Sequence, residues 1–363
     1  MAGVHRGEQR DGVVTGLQAD DVDDFARGTA LLGCGGGGQV DHTAHALRRA
    51  LGTGGVPVVP VDAGLGAVVA VGLVGSTTVL EEKTPSGREL PDALAAVERW
   101  TGRRADAVVA AQIGGVTGPA AALTAHAAGL PLVDADLVGR ATPRIDQLSL
   151  FVDALPVVTA AAVTSSGLRI VVDTADARDL ETVWREAVSH SGGWAAFAVG
   201  PVDAGVLAGR CVTGSVDRAL RAGRAAATAA GVEDLVRGLE GARVVARGRV
   251  LDVQRSGDVV AFVHGSMAIR DAATGAVVRV EAGSEWVHCL VDGEPVASTP
   301  SCIVVVDARS LRPVATERAR VGDELAVLVL PGAPWWWATP DRTARVSPRA
   351  FGIDADVVPE VAA

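Results

Sequence analysis

Three segments concentrate side chains able to do chemistry. The first is Gly33-Cys34-Gly35-Gly36-Gly37-Gly38, five glycines around one cysteine. Glycine strips the backbone of side chains and lets a ligand approach the peptide N–H groups, so Gly35, Gly36, Gly37 and Gly38 are candidates for a nest that holds negative charge. Cys34 stands just before a predicted helix, a setting that lowers a thiol pKa; nucleophile, metal ligand and small buried residue are all open readings for it. Gly33, Gly35 and Gly38 also satisfy a GxGxxG spacing. A dinucleotide fingerprint must follow a strand, however, and here an amphipathic helix precedes it, so no nicotinamide cofactor is expected.

The second segment is Val133-Asp134-Ala135-Asp136, just past a short apolar run. If the extended conformation continues, Asp134 and Asp136 share one side, where they could act as general base or acid, hold a metal, or cap a helix. The third is Glu82-Lys83, after the apolar run ending at Leu80. Lys83 is the single lysine of a 363-residue chain that otherwise uses arginine, which suits proton transfer or a point contact to a substrate. Gln112-Ile113-Gly114-Gly115 ends a neighbouring predicted strand and could line the same edge. Further along, Glu285 lies beside Trp286 and His288, Trp335-Trp336-Trp337 offers a flat surface for a planar ring, and Arg349 could anchor a carboxylate. His42 and His45 are three residues apart with no third ligand in view, and solvated helix residues are expected there.

The elements that must position these residues are legible from periodicity. Helical spacing runs over Leu17 to Leu32, Asp41 to Leu51, Leu90 to Trp100, Pro119 to Ala128, Ala177 to Val188 and Val216 to Ala230. Between them lie β-branched runs at Val56 to Val61, Ala67 to Val74, Ala107 to Ala111 and Leu132 to Val133, which together read as α/β architecture. Beyond Gly241 short valine-rich strands recur at Arg243 to Val253, Val259 to Val263, Ala276 to Glu281, Trp286 to Val291, Ile303 to Asp307 and Glu324 to Leu330. The expected organisation is an N-terminal α/β domain over 15–165 and a mixed C-terminal α+β domain over 166–360, β-rich after 241.

Composition narrows the functions. Hydrophobic residues at 48% against 21% charged describe a folded chain with a sizeable core. A net charge of -10 repels phosphate backbones and anionic lipid heads, so neither nucleic acid nor membrane is an expected partner. The N-terminal stretch lacks the apolar core of a secretory signal, and the four cysteines, Cys34, Cys211, Cys289 and Cys302, form no CxxC pair. A cytoplasmic protein with reduced thiols is the expectation.

Taken in order, five stretches resemble the S-methyl thiohydantoin desulfurase family, formerly a domain of unknown function associated with hydantoinases. They are LQADDVDDFARGTALLGCGGGG at 17–38, VGSTTVLEEKTPSG at 74–87, QIGGVTG at 112–118, GLPLVDADLVGRATPRIDQ at 129–147 and SPRAFGIDADVVP at 347–359. The resemblance implies a site between an α/β domain and a β-rich domain, and hydrolytic loss of methanethiol from a small heterocyclic ring. Carried over by position, it implies roles for Cys34 with its glycines, Glu82, Lys83, Gln112, Asp134, Asp136 and Arg140. Water activated by Asp134, Asp136 or a divalent metal of unknown ligands, or direct attack by Cys34, are the mechanisms it leaves open. An accessory subunit beside a hydantoinase-type or oxoprolinase-type partner, or a homo-oligomer, is the alternative to an enzyme acting alone. Two departures stand out: Ser284-Glu285 where the family leads one to expect Asn-Glu, and Ser301 after Thr299-Pro300 where it leads one to expect aspartate.

Overall fold

The structure, a computed structural model, describes residues 9–10, 13–152, 158–256 and 264–360. A short hairpin, β1 (Gln9–Arg10) and β2 (Val13–Val14), precedes the first large sheet. That sheet is built from β3 (Gly16–Gln18), β4 (Gly55–Val59), β5 (Ala67–Gly75), β6 (Ala107–Ala110), β7 (Leu132–Asp136), β8 (Val158–Thr164), β9 (Arg169–Thr174), β10 (Trp194–Asp203) and β11 (Val212–Thr213). Its order is β3-β4-β7-β6-β5-β10-β8-β9, with β11 continuing beside the outer half of β7. Strands β4, β7, β6 and β5 run parallel, and the others join antiparallel.

The run Ala67–Gly75 is almost wholly apolar because both of its faces are covered. Val69 and Val71 belong to the same core as residues of α1 (Val22–Leu32) and α2 (Asp41–Leu51), while Val68, Ala70 and Val74 face the opposite core. The remaining helices of this body are α3 (Thr77–Glu82), α4 (Glu89–Thr101), α5 (Thr117–Ala128), α6 (Ala177–His190), α7 (Ala204–Ala208), α8 (Ser215–Thr228) and α9 (Val232–Gly238). Among the described residues no helix is long and apolar enough to cross a membrane.

The second sheet is wholly antiparallel, in the order β16-β15-β14-β13-β12-β18-β17. Its strands are β12 (Arg243–Ser256), β13 (His264–Asp271), β14 (Val277–Gly283), β15 (Glu285–Val291), β16 (Glu294–Ser298), β17 (Cys302–Asp307) and β18 (Glu324–Leu330). It curls until β15 comes close to β17, enclosing Met267, Ile269, Val280, Ile303 and Val327. The alternate residues of β17 and β18, Cys302, Val304, Ala326 and Leu328, share a core with Phe25 of α1 and Leu220 of α8. Two short helices, α10 (Pro334–Trp337) and α11 (Pro340–Arg345), and a 3-10 turn over Pro348–Phe351 carry the chain to its end.

Two sequence expectations change. Leu17 does not open the first helix: it pairs with Val56 in β3, and the helix begins at Val22 after a 3-10 turn. The run ending at Leu80 is not one strand, because Gly75 turns the chain at φ 123° and the Ser76 hydroxyl accepts from the Val79 N–H, starting α3. The first sheet runs on past the expected boundary near 165. Strands β9, β10 and β11 beyond it complete the first sheet, and the change of sheet comes at 239–242. The expected strand at 259–263 lies outside the described residues.

Candidate functional site

A cleft of about 210 Å³ opens between the two sheets. Its first wall comes from the carboxyl ends of the parallel strands, where α/β proteins place their sites. Gly75 ends β5 and Ser76 and Thr77 follow it, Gln112 follows β6, Thr142 and Pro143 follow β7, and Gly36 and Gly37 follow α1. The second sheet contributes Ser284, Glu285, Thr316 and Glu317.

The glycine loop is clamped from both bodies. The Cys34 carbonyl accepts from the Trp286 N–H at 2.8 Å, the Gly35 carbonyl from Thr316 at 2.9 Å, and the Gly37 carbonyl from Val116 at 2.8 Å. The N–H groups of Gly37 and Gly38 find no acceptor among the described residues, and of the two Gly37 lines the cleft. Close approach explains the composition at two positions. A Cβ on Gly36 would lie 2.6 Å from the Glu285 carboxyl carbon, and one on Gly37 would lie 2.7 Å from Gly115 Cα. Glycine is thus required for Glu285 to lie against the loop.

Glu285 is 2% exposed, and its Oε2 has no hydrogen-bond partner. Burial pushes its carboxyl up to about 8, against the pull of the nearby Arg140 guanidinium and with the neighbouring Glu317 carboxylate adding to the rise. At neutral pH the cleft therefore presents a carboxylic acid that keeps its proton. Glu317 itself accepts from the hydroxyls of Thr77 at 3.3 Å and Thr316 at 3.2 Å. Arg140, also 2% exposed, follows β7 and donates to the carbonyls of Ser301 at 2.6 Å and Trp286 at 3.0 Å. It fastens one body to the other beside Glu285. Gln112 lines the cleft with its Oε1 accepting from the Thr142 N–H at 2.7 Å.

The other residues singled out by sequence lie elsewhere. Cys34 is fully buried beneath the loop, its Sγ facing the Leu32 carbonyl at 3.5 Å and in contact with Cys302; burial holds its thiol well above the ordinary range. That geometry does not favour a nucleophile. Asp136 is 0% exposed and outside the cleft: its carboxylate accepts from the N–H groups of Ile113 at 2.8 Å, Val138 at 3.2 Å and Gly139 at 2.7 Å, and from the Ser215 hydroxyl. Burial lifts it to about 6 while those bonds pull it down. Asp134 accepts from the N–H groups of Val216 and Asp217, and burial raises its carboxyl too. The pair does share one side, as alternation requires, but that side faces the start of α8. Glu82 and Lys83 are exposed at the end of α3, with Lys83 Nζ 3.4 Å from the Gly192 carbonyl. Arg349 is exposed and ion-paired to Asp354 and Asp356. None of the three tryptophans lines the cleft: Trp336 is buried and donates to the Val138 carbonyl, and Trp335 donates to Gly209. His42 and His45 are exposed on α2.

Glu317, Thr142 and Thr77 were not singled out from sequence. They stand in loops or at a helix start with no periodic pattern, and only the packing of the two bodies brings them together. Among the described residues no group of three or more His, Cys, Asp or Glu side chains could hold a metal ion. The two departures have local consequences. Ser284 adopts φ 75°, a left-handed conformation that asparagine tolerates better than serine. Ser301 donates to the Glu360 carboxylate at 2.8 Å, so a carboxylate reaches that spot from the C-terminal segment.

No curated protein matches the chain. An X-ray structure of a protein from Chromobacterium violaceum is similar with a TM-score of 0.76 and 20% identity, covering 95% of this chain and 99% of that one, a likeness of fold. Family models described as S-Me-THD-like, N-terminal domain and S-Me-THD-like, C-terminal domain match residues 20–174 and 175–360. Matched over both of its halves, the chain belongs to the S-Me-THD-like family.

Proposed function

We propose that the chain is a hydrolase that removes methanethiol from an S-methylated thiohydantoin, leaving the hydantoin. Family membership supports the class of ring. The observation that carries the reaction is Glu285, a buried acid with one unpartnered oxygen on the floor of a cleft that can admit a small heterocycle.

The ring carbon bearing sulfur is joined to a ring nitrogen by a double bond. Glu285 donates its proton to that nitrogen while Glu317 accepts a proton from the attacking water, and a C–O bond forms at the carbon. The tetrahedral adduct holds the new hydroxyl, the sulfur and the now protonated nitrogen. Its collapse breaks the C–S bond and forms the carbonyl. The hydroxyl proton restores Glu285, and the thiolate leaves with the proton held by Glu317. Substrate and water together supply every atom of hydantoin and methanethiol. The N–H group of Gly37, which lines the cleft, suits an oxygen that carries negative charge during collapse.

The test is release of free thiol, read with a thiol reagent, from S-methyl thiohydantoins, with hydantoin measured alongside. Equal amounts of both products, lost in a folded Glu285→Gln protein, are expected. Turnover seen only after addition of a hydantoinase-type subunit, and unaffected by Glu285→Gln, would replace this proposal with an accessory role.

A further inference from the structure

The cleft has two characters. Besides Glu285 and Gln112 it is walled by Leu73, Leu80, Val116 and Trp194, which form a small apolar cluster with Ala196. Leu73 is also a wall of a second chamber of about 300 Å³, whose lining includes Ala46, Leu90, Pro91, Ala120 and Leu123. A third space lies beside both: it shares Leu80 and Val116 with the cleft, and His42, Thr43 and Pro85 with the chamber. The site therefore has neighbouring cavities beyond its apolar wall, divided from it by Leu73, Leu80 and Val116.

Charge on that side is already engaged. Glu89, in the chamber, accepts from the N–H groups of Ser86 and Gly87. In the cleft Arg185 is bound to Glu181 and to the Pro143 carbonyl. Glu317 and Glu89 make the region unfavourable to an anion, and Leu73, Leu80 and Leu123 reward apolar surface.

Resting on the function proposed above, we propose that the natural ring carries a bulky, uncharged apolar substituent that seats on this wall and reaches the chamber past Leu73. A five-membered ring turned with its sulfur-bearing carbon toward Glu285 points its substituted carbon away from that acid, toward Leu73. Leu73 and Leu123 are then specificity-determining residues, and neither takes part in the bond changes.

The test compares kcat/KM for benzyl-, methyl- and carboxymethyl-substituted S-methyl thiohydantoins, with calorimetric binding of the matching hydantoins as an independent readout. The benzyl ring is expected to exceed the methyl ring by about tenfold or more, with the carboxymethyl ring poorest. Leu73→Trp fills the boundary, and Leu123→Phe fills the chamber from α5 without lining the cleft. Either variant, once folded, is expected to lose most of the benzyl preference, and Leu123→Phe, whose site lies outside the cleft, is expected to keep methyl-ring turnover. A parent that prefers the methyl or carboxymethyl ring, or folded variants that keep the parent's preference, would overturn the subsite and leave the reaction standing. Neither binding nor turnover of any ring would overturn both.

Discussion

Replacing Glu285 by glutamine keeps the side chain's size and takes away its ability to ionise. The carboxyl lies at about 8 in the folded protein against an ordinary value of 4.5. Below 4.5 both folded and unfolded chains hold the proton, so the site adds no pH dependence there. Between the two values the folded state retains a proton that the unfolded state has lost, and stability falls as pH rises, by about 1.4 kcal/mol per unit. Near neutrality the accumulated penalty is about 3 kcal/mol, levelling off at about 5 kcal/mol above the folded value. Glu285→Gln escapes this penalty. Urea unfolding of parent and variant at about pH 5, 7 and 9 should show similar stability at the lowest pH and a variant advantage that widens steadily to the highest. A difference that stays flat over the series would refute the argument, because Glu285 would then exchange no proton on unfolding.

Arg140→Gln removes the cation that holds Glu285 down, so the alkaline limb of the kcat/KM profile should move upward, while Arg140→Lys should leave the limb near its original place despite losing stability; pH-rate profiles of the two variants check this. Asp136→Ala leaves three buried N–H groups unmet and should cost about 3 kcal/mol or more in urea unfolding. Asp134→Ala should cost about 1 kcal/mol, as for loss of a helix cap, and leave kcat unchanged, which urea unfolding and steady-state assays would show. Gly36→Ala drives a methyl into the Glu285 carboxyl and should abolish turnover in a folded protein, whereas Lys83→Met should leave turnover intact.

How far sequence reached depends on how local each cause is. Helix α2 and strand β18 were read with their observed bounds because their own residues carry the signal: helical spacing closed by Gly52, and a valine-rich run between turns. Strand β16 escaped because Glu294-Pro295 does not look like a strand, proline being confined to edges, and β16 is an edge. The aspartate pair was visible as a pair, but its bonds to residues 215–217 depend on where α8 packs, some eighty positions later. Ser76 was the overlooked signal at Glu82-Lys83, since a capping serine after glycine ends the strand and starts a helix. Gly36, Gln112 and Glu285 were named from sequence and do line one cleft. The burial that makes Glu285 an acid arises from the glycine loop of a different domain, and no local pattern encodes it.

Difference infrared titration observes that proton directly. Comparing the parent with Glu285→Gln, a protonated carboxyl band belonging to Glu285 should persist through neutrality and disappear with a midpoint near the folded value of about 8. A Glu285 band already lost in the ordinary carboxylate range would contradict the central claim that the cleft holds a neutral acid ready to protonate the ring.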